Sequence, residues 1–138
     1  MSYTISLNIR NDTTESLAVV EKTCWYYANG GIWTEHGSNH ALTMGGSGTS
    51  GILRFRSDSG ELFTAIVGIH NYNPWGDVQV DLAGGDTGVK LNPEYYSGGR
   101  LSGEAHSEIQ RPTSKGRNVK LYFDAREGRQ VSAVLHYF

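Results

Sequence analysis

The sequence has few of the features that mark a membrane protein, a disulfide framework or a nucleic-acid binder. Cys24 is the only cysteine among 138 residues, so no disulfide can form within the chain. The formal net charge is −2, whereas phosphate recognition requires an excess of positive charge. The longest apolar runs are of strand length and too short to span a bilayer. These absences predict a soluble globular protein whose partner is uncharged or weakly charged.

The length and the opening residues predict a single domain without a secretory signal. A chain of 138 residues fits one domain, and it contains no internal repeat or linker, so we assign residues 1–138 to one domain. Residues 1–6 have neither the basic region nor the apolar core of a signal peptide. We therefore expect a cytoplasmic protein, with unconventional export left open.

Alternating apolar and polar residues predict a mainly β fold. Tyr3 to Arg10 alternates with a period of two, which is typical of a half-buried strand. Compact polar breaks at Ser57 to Gly60 and Arg126 to Arg129 predict hairpin connections. The further strand predictions are Leu17 to Trp25, Gly51 to Arg56, Leu62 to Ile69, Val89 to Leu91, Asn118 to Asp124 and Gln130 to Phe138.

Two segments break the strand pattern. Asparagine followed by proline at Asn73, and apolar residues then recurring at helical spacing, predict a short helix from Pro74 to Leu82. A second turn is expected to begin at Asn92 and to include Tyr95 and Tyr96. Both would cover the open end of a sheet sandwich, while residues 98–115 are polar and weakly patterned.

Two stretches, residues 28–31 and 42–51, are rich in glycine and small hydroxyl residues. Such stretches expose backbone donors and acceptors to a hydroxyl-rich ligand, which favours a sugar-binding surface. Gly46 to Gly51 also matches the dinucleotide pattern G-x-G-x-x-G, but that fingerprint requires a helix directly after it, and Ile52 to Arg56 resembles a strand. The structural alternative is a plain glycine-rich hairpin.

Polar and aromatic side chains follow a predicted buried strand at His70, Asn71 and Tyr72. Imidazole, amide and phenol groups there would offer hydrogen bonds at the rim of the sandwich, or would merely cap the strand. His36 and His40 lie in a segment of loop composition, without cysteines or an H-E-x-x-H pattern, so we predict no metal site.

The acidic residues do not form a recognisable catalytic pair. A glycosidase needs two carboxylates across the scissile bond, and nothing in the spacing of Asp77, Asp81 and Glu94 selects a pair. We therefore predict no enzymatic activity and no cofactor, with glycoside hydrolysis as the minority alternative. Aromatic residues make up 11% of the chain and suit either a core or a stacking surface for sugar rings.

Several of these motifs, taken in order along nearly the whole chain, resemble the fungal fruiting-body lectin family of mushroom proteins. The segments that carry the resemblance are Tyr27 to Gly31, Leu42 to Gly51, Gly68 to Tyr72 and Asn92 to Tyr96. The resemblance implies an actinoporin-like β-sandwich of two sheets joined by a helix-loop-helix, mainly β with short helices. It also implies a homotetramer without enzymatic activity.

The resemblance further implies two sugar sites. The primary site, for the T-antigen disaccharide of galactose and N-acetylgalactosamine, would use Ala28, Ser47, Gly48 and Asn71, with His70 and Tyr72 as neighbours. The second, for N-acetylglucosamine, would use Asp77, Val78 and Arg100. Val80 stands where the family has a threonine, and a tyrosine expected after Arg100 has no counterpart, so we expect this site to be altered, weakened or absent.

The expected function is therefore that of a multivalent lectin that binds galactose- and N-acetylgalactosamine-containing glycans on glycoproteins or glycolipids, with a role in defence. The main rival is an actinoporin-like pore-forming protein. Such a toxin needs a detachable amphipathic helix at its N-terminus, whereas Tyr3 to Arg10 has the pattern of a strand.

Overall fold

A computed structural model describes residues 2–25 and 30–138, and these residues form two β-sheets with short helical elements. The strands are β1 (Tyr3–Asn11), β2 (Leu17–Cys24), β3 (Gly31–His36), β4 (Asn39–Met44), β5 (Ser50–Ser57), β6 (Leu62–His70), β7 (Asn73–Gln79), β8 (Glu108–Pro112), β9 (Asn118–Ala125) and β10 (Gln130–Tyr137). Helix α1 (Gly88–Leu91) and a 3₁₀ helix (Asn92–Tyr95) lie between β7 and β8. The prediction of a mainly β fold with two sheets is confirmed.

The larger sheet has six strands in the order β3-β4-β1-β10-β9-β8. Strand β1 lies inside it, parallel to β10 and antiparallel to β4. The alternation predicted for this segment is confirmed, because Tyr3, Ile5 and Leu7 are buried while the residues between them are more exposed. The N-terminal segment is therefore a paired interior strand of the sheet.

The smaller sheet has four strands in the order β2-β5-β6-β7, and its central strands β5 and β6 are buried on both faces. Phe55 and Phe63 face the other sheet and belong to the main core, where their rings stack at 5.1 Å. Ile52 and Ile66 face the opposite way and pack against Leu91 and other residues of the helical segment. Strands buried on both faces appear in sequence as near-continuous apolar runs, and β5 and β6 were predicted from such runs.

The helix predicted over Pro74 to Leu82 is wrong, because Asn73–Gln79 is strand β7. Trp75 packs against the cluster that contains Ile52 and Ile66, and Val78 lies in the main core, so Trp75 and Val78 are on opposite faces of the sheet. The apparent helical spacing reflects a strand that is apolar on both sides. Pro74 is tolerated because β7 is at the edge of its sheet, where a missing N–H breaks few ladder hydrogen bonds.

The strand predicted over Val89 to Leu91 is also wrong, because these residues belong to α1. The side chain of Thr87 accepts a hydrogen bond from Lys90 N. The carboxylate of Glu21, on strand β2, accepts hydrogen bonds from the backbone N–H groups of Gly88 at 2.7 Å and Val89 at 3.1 Å. These acceptors satisfy free N–H groups of the first turn and stabilise a helix there.

Three further outcomes concern the connections. Hairpins at Ser57 to Gly60 and Arg126 to Arg129 are confirmed by the antiparallel pairing of β5 with β6 and of β9 with β10. The turn expected at Asn92 is confirmed as the 3₁₀ helix. The loop predicted around His36 and His40 is wrong, since these residues lie on the paired strands β3 and β4.

Within residues 2–25 and 30–138, none of the helices is long and apolar enough to cross a membrane.

Candidate functional site

The glycine-rich segment 45–49 connects the two sheets rather than closing a hairpin, because β4 and β5 belong to different sheets. Gly48 has φ of +97°, a conformation that side-chain-bearing residues rarely adopt. Its N–H donates to the carbonyl of Ile69 at 2.7 Å, and the N–H of Ile69 donates to the carbonyl of Thr49 at 3.0 Å. The connection is thereby held against the end of β6.

The turn between β6 and β7 consists of two residues, Asn71 and Tyr72, with His70 paired to Asn73. Both turn residues have positive φ, 49° and 65°, which is the signature of a type I′ hairpin. Asparagine tolerates this conformation, but tyrosine rarely adopts it, and such backbone strain costs about 1–3 kcal/mol. The strained Tyr72 is 76% exposed, so no packing in the monomer explains its presence there.

A hydrogen bond joins the glycine-rich connection to this turn. The backbone N–H of Tyr72 donates to Ser47 Oγ at 3.1 Å. Because Ser47 Oγ accepts this bond, its own hydroxyl hydrogen remains available to a ligand. The side-chain amide of Asn71 makes no hydrogen bond within the described part of the chain, and Asn73 Nδ2 donates to the Asn71 backbone carbonyl at 3.0 Å. The Ser47 hydroxyl and the Asn71 amide are therefore available at the same rim.

The structure brings most of the residues of the predicted primary site to this rim. The residues placed there are Ser47, Gly48, His70, Asn71 and Tyr72. Ala28 lies outside the described residues. The carbonyl of nearby Gly30 accepts a hydrogen bond from Gly45 N at 3.2 Å, which ties the end of the first glycine-rich stretch to the start of the second.

The residues predicted for the second site are differently placed. Asp77 and Val78 are completely buried, Val80 is half-buried and Arg100 is exposed. Asp77 Oδ2 accepts hydrogen bonds from the Tyr95 hydroxyl at 2.7 Å and from Gln79 Nε2 at 2.8 Å. The second site stays a prediction, and its acidic residue is enclosed by partners from the protein itself.

Arg111, which the sequence analysis did not predict as a site residue, is a further hydrogen-bond partner of Asp77. Its guanidinium donates to Asp77 Oδ1 at 3.1 Å and to Glu104 Oε1 at 3.2 Å. Burial and the neighbouring Asp77 carboxylate together raise the pKa of Tyr95, so this phenol stays protonated as a donor. Arg111 lies in the weakly patterned segment, and no local motif marks it as the partner of an aspartate 34 positions earlier.

One cluster has the composition of a metal site. Among the described residues, ligand atoms of Asp77, Glu104 and His106 lie within 4.8 Å of one another. The guanidinium of Arg111 bonds both carboxylates and supplies positive charge inside the cluster. Hydrogen bonds from His106 and Arg111 hold the pKa of Glu104 below its usual range. We interpret the cluster as an ion-pair network that joins β7 to β8 and the segment before it.

Comparisons with known proteins show which family the chain is similar to. A sequence profile of the fungal fruit body lectins matches residues 1–135. A lectin from Boletus edulis is 52% identical over 101 residues, which cover 72% of this chain and 71% of that lectin. The crystal structure of the wild-type lectin of Xerocomus chrysenteron matches with a TM-score of 0.96 and 38% identity over 100% of both chains. A methionine-substituted form of that lectin matches with a TM-score of 0.95.

Proposed function

Because the chain belongs to the fungal fruit body lectin family, and is therefore a carbohydrate-binding protein and not an enzyme, we propose that it recognises galactose- and N-acetylgalactosamine-containing glycans at the Ser47–Asn71 rim. The T-antigen disaccharide is the ligand we propose. The observation that carries the proposal is the hydrogen bond between Tyr72 N–H and Ser47 Oγ, which positions a free hydroxyl donor beside a free amide.

The groups at this rim match the chemistry of a neutral disaccharide. The Ser47 hydroxyl can donate, and the Asn71 amide can both donate and accept, which suits sugar hydroxyls and an acetamido group. Gly48 brings the backbone close without a side chain in the way. The exposed ring of Tyr72 offers an apolar face to the C–H side of a sugar ring. Ala28 belongs to the proposed site through the family resemblance.

We also propose that the protein acts as an oligomer, with a tetramer as the expected form. A single shallow sugar site of millimolar affinity supplies only about 4 kcal/mol, and linked sites raise the apparent affinity without new contacts. The sheet-edge strands β2 and β3 carry the exposed apolar residues Val20 and Ile32, a surface that self-association would cover. Cytoplasmic location and a defence role stay predictions from the sequence.

A glycan array tests the proposal. We expect the wild-type protein to bind structures that end in galactosyl-N-acetylgalactosamine and to ignore glucose- and mannose-terminated controls. Light scattering of the same preparation is expected to give four times the mass of the 15.2 kDa chain. Binding confined to glycans without galactose or N-acetylgalactosamine would contradict the proposed specificity, and a monomeric mass would contradict the tetramer.

A further inference from the structure

A cavity of about 600 Å³ opens directly beside the proposed disaccharide site. Its lining includes Gly48 and Asn71 of the rim together with Ser102, Glu104 and Ala105. Its volume lies within the range of about 300–1,000 Å³ that small-molecule sites usually occupy. The disaccharide rim is therefore continuous with the wall of a larger cavity.

The wall of this cavity is aromatic and is built around a glycine. Trp75 Nε1 lies 2.8 Å from the position that a Cβ of Gly68 would occupy, so only glycine lets the indole lie this close to β6. The ring of Tyr95 is 5.7 Å from that of Trp75, at an angle of 45°. Trp75 is half-buried, and its indole N–H makes no hydrogen bond within residues 2–25 and 30–138. An aromatic face with a spare donor suits a sugar ring or an acetamido group.

The polar groups of the cavity favour a neutral occupant that carries hydroxyl groups. Glu104 lines the cavity, and the hydrogen bonds from His106 and Arg111 keep it ionised. The Arg111 guanidinium is already paired with Glu104 and Asp77, and the charge of the Glu104 carboxylate would repel an acidic sugar. Arg126 donates to the carbonyl of Pro74, a residue of the cavity wall, at 3.2 Å. A carboxylate accepts hydrogen bonds from sugar hydroxyls.

We propose that this cavity is an extension subsite that binds one further neutral sugar residue, hexose or N-acetylhexosamine, linked to the disaccharide. The inference rests on the proposed function, since the cavity adjoins the rim through Gly48 and Asn71. The added residue packs against Trp75 and reaches toward Glu104. The lectin thus reads a glycan longer than the disaccharide itself.

Calorimetric titration tests this subsite. The ligands are the free disaccharide and trisaccharides that carry one neutral sugar at each available position. The wild-type protein is expected to bind at least one trisaccharide tenfold more tightly than the disaccharide. Ala105→Trp fills the cavity from an exposed position, and we expect it to bring the ratio of the two affinities close to one. Ala83→Trp, at an exposed position that does not line the cavity, is the matched control and is expected to keep the wild-type ratio.

The outcomes separate the two proposals. Absence of disaccharide binding by the wild-type protein overturns the proposed function. Disaccharide binding without a trisaccharide gain, or a gain that survives both Ala105→Trp and the second blocking variant Ser102→Trp, overturns the subsite alone. A gain seen only with a sialylated trisaccharide, or only with a glycopeptide that carries the disaccharide, also overturns it, because the occupant would then be an acid or a peptide.

Discussion

Ser47 Oγ lies 3.1 Å from the backbone nitrogen of Tyr72 and accepts its hydrogen bond. The two residues belong to different connections, one that crosses between the sheets and one that closes the β6–β7 hairpin. Their contact fixes the separation of the two loops that carry the Ser47 hydroxyl and the Asn71 amide. Such pre-organisation lowers the entropy cost of binding, which matters most for a weak and polar ligand.

Ser47→Ala removes both the acceptor for Tyr72 N–H and the donor proposed for the sugar. Each hydrogen bond contributes about 0.5–1.5 kcal/mol, so we expect the affinity for the disaccharide to fall by about tenfold or more. Calorimetry with Ser107→Ala, an exposed serine outside the site, as the control measures this loss. Wild-type affinity in Ser47→Ala would show that the hydroxyl makes no contact with the sugar.

Tyr72→Gly is expected to separate stability from binding. Glycine adopts a φ of 65° freely, so the variant releases strain of about 1–3 kcal/mol, offset in part by the entropy of the unfolded glycine. We expect Tm to stay the same or rise, while the affinity for the disaccharide falls because the ring is lost. Tyr72→Asn keeps the turn and also lacks the ring, so it should bind as weakly. A clear drop in Tm for Tyr72→Gly would contradict the strained turn.

Asp77→Asn tests whether this buried carboxylate is structural. The change removes the charge that faces the Arg111 guanidinium and the strong acceptor of the Tyr95 hydroxyl. We expect the free energy of unfolding to fall by about 2 kcal/mol, less than the about 3–5 kcal/mol of fully buried pairs, since Arg111 still reaches solvent. Urea unfolding measures it, with the exposed Asp124→Asn as control. Equal losses in the two variants would contradict a structural role.

Glu15 makes the fold sensitive to acid. Hydrogen bonds from Ser59, with the charge of Arg117, lower the pKa of Glu15 to about 2. Because an unfolded glutamate has a pKa of about 4.3, its stabilisation is complete above that pH and is lost as the pH falls toward 2. The Tm difference between wild type and Glu15→Gln should be largest near pH 7 and vanish near pH 2. The exposed Glu127→Gln is the control, and a difference independent of pH would contradict this role.

Much of the fold could be predicted because its signals are local. The alternation in Tyr3–Asn11 and the apolar run of Leu62–His70 report the burial of the strands directly. The errors arose where a distant residue decides the structure. Residues 89–91 are helical partly because Glu21, 67 positions away from Gly88, accepts the N–H groups of the first turn.

The same contrast between local signals and contacts with distant residues holds at the candidate site. Local patterns marked the two stretches that contain Ser47 and Asn71, and the family resemblance selected these two residues within them. The bond from Tyr72 to Ser47 spans 25 positions, and no periodicity predicts it. The pairing of Asp77 with Arg111 was missed for the same reason. A two-residue turn that contains tyrosine, where glycine would be expected, also has no sequence signal.

The most direct test of the central claim is a calorimetric titration of wild type and Asn71→Gly with galactosyl-N-acetylgalactosamine. Glycine accepts the positive φ of this turn, so the variant removes the amide and keeps the fold, which an unchanged Tm verifies. The matched comparison is Asn71→Asp, which keeps the turn and one acceptor. Asn8→Gly would not serve, because glycine there would weaken a strand. We expect measurable binding by wild type, weaker binding by Asn71→Asp and none by Asn71→Gly. Full affinity in Asn71→Gly would contradict the claim that this rim binds the sugar.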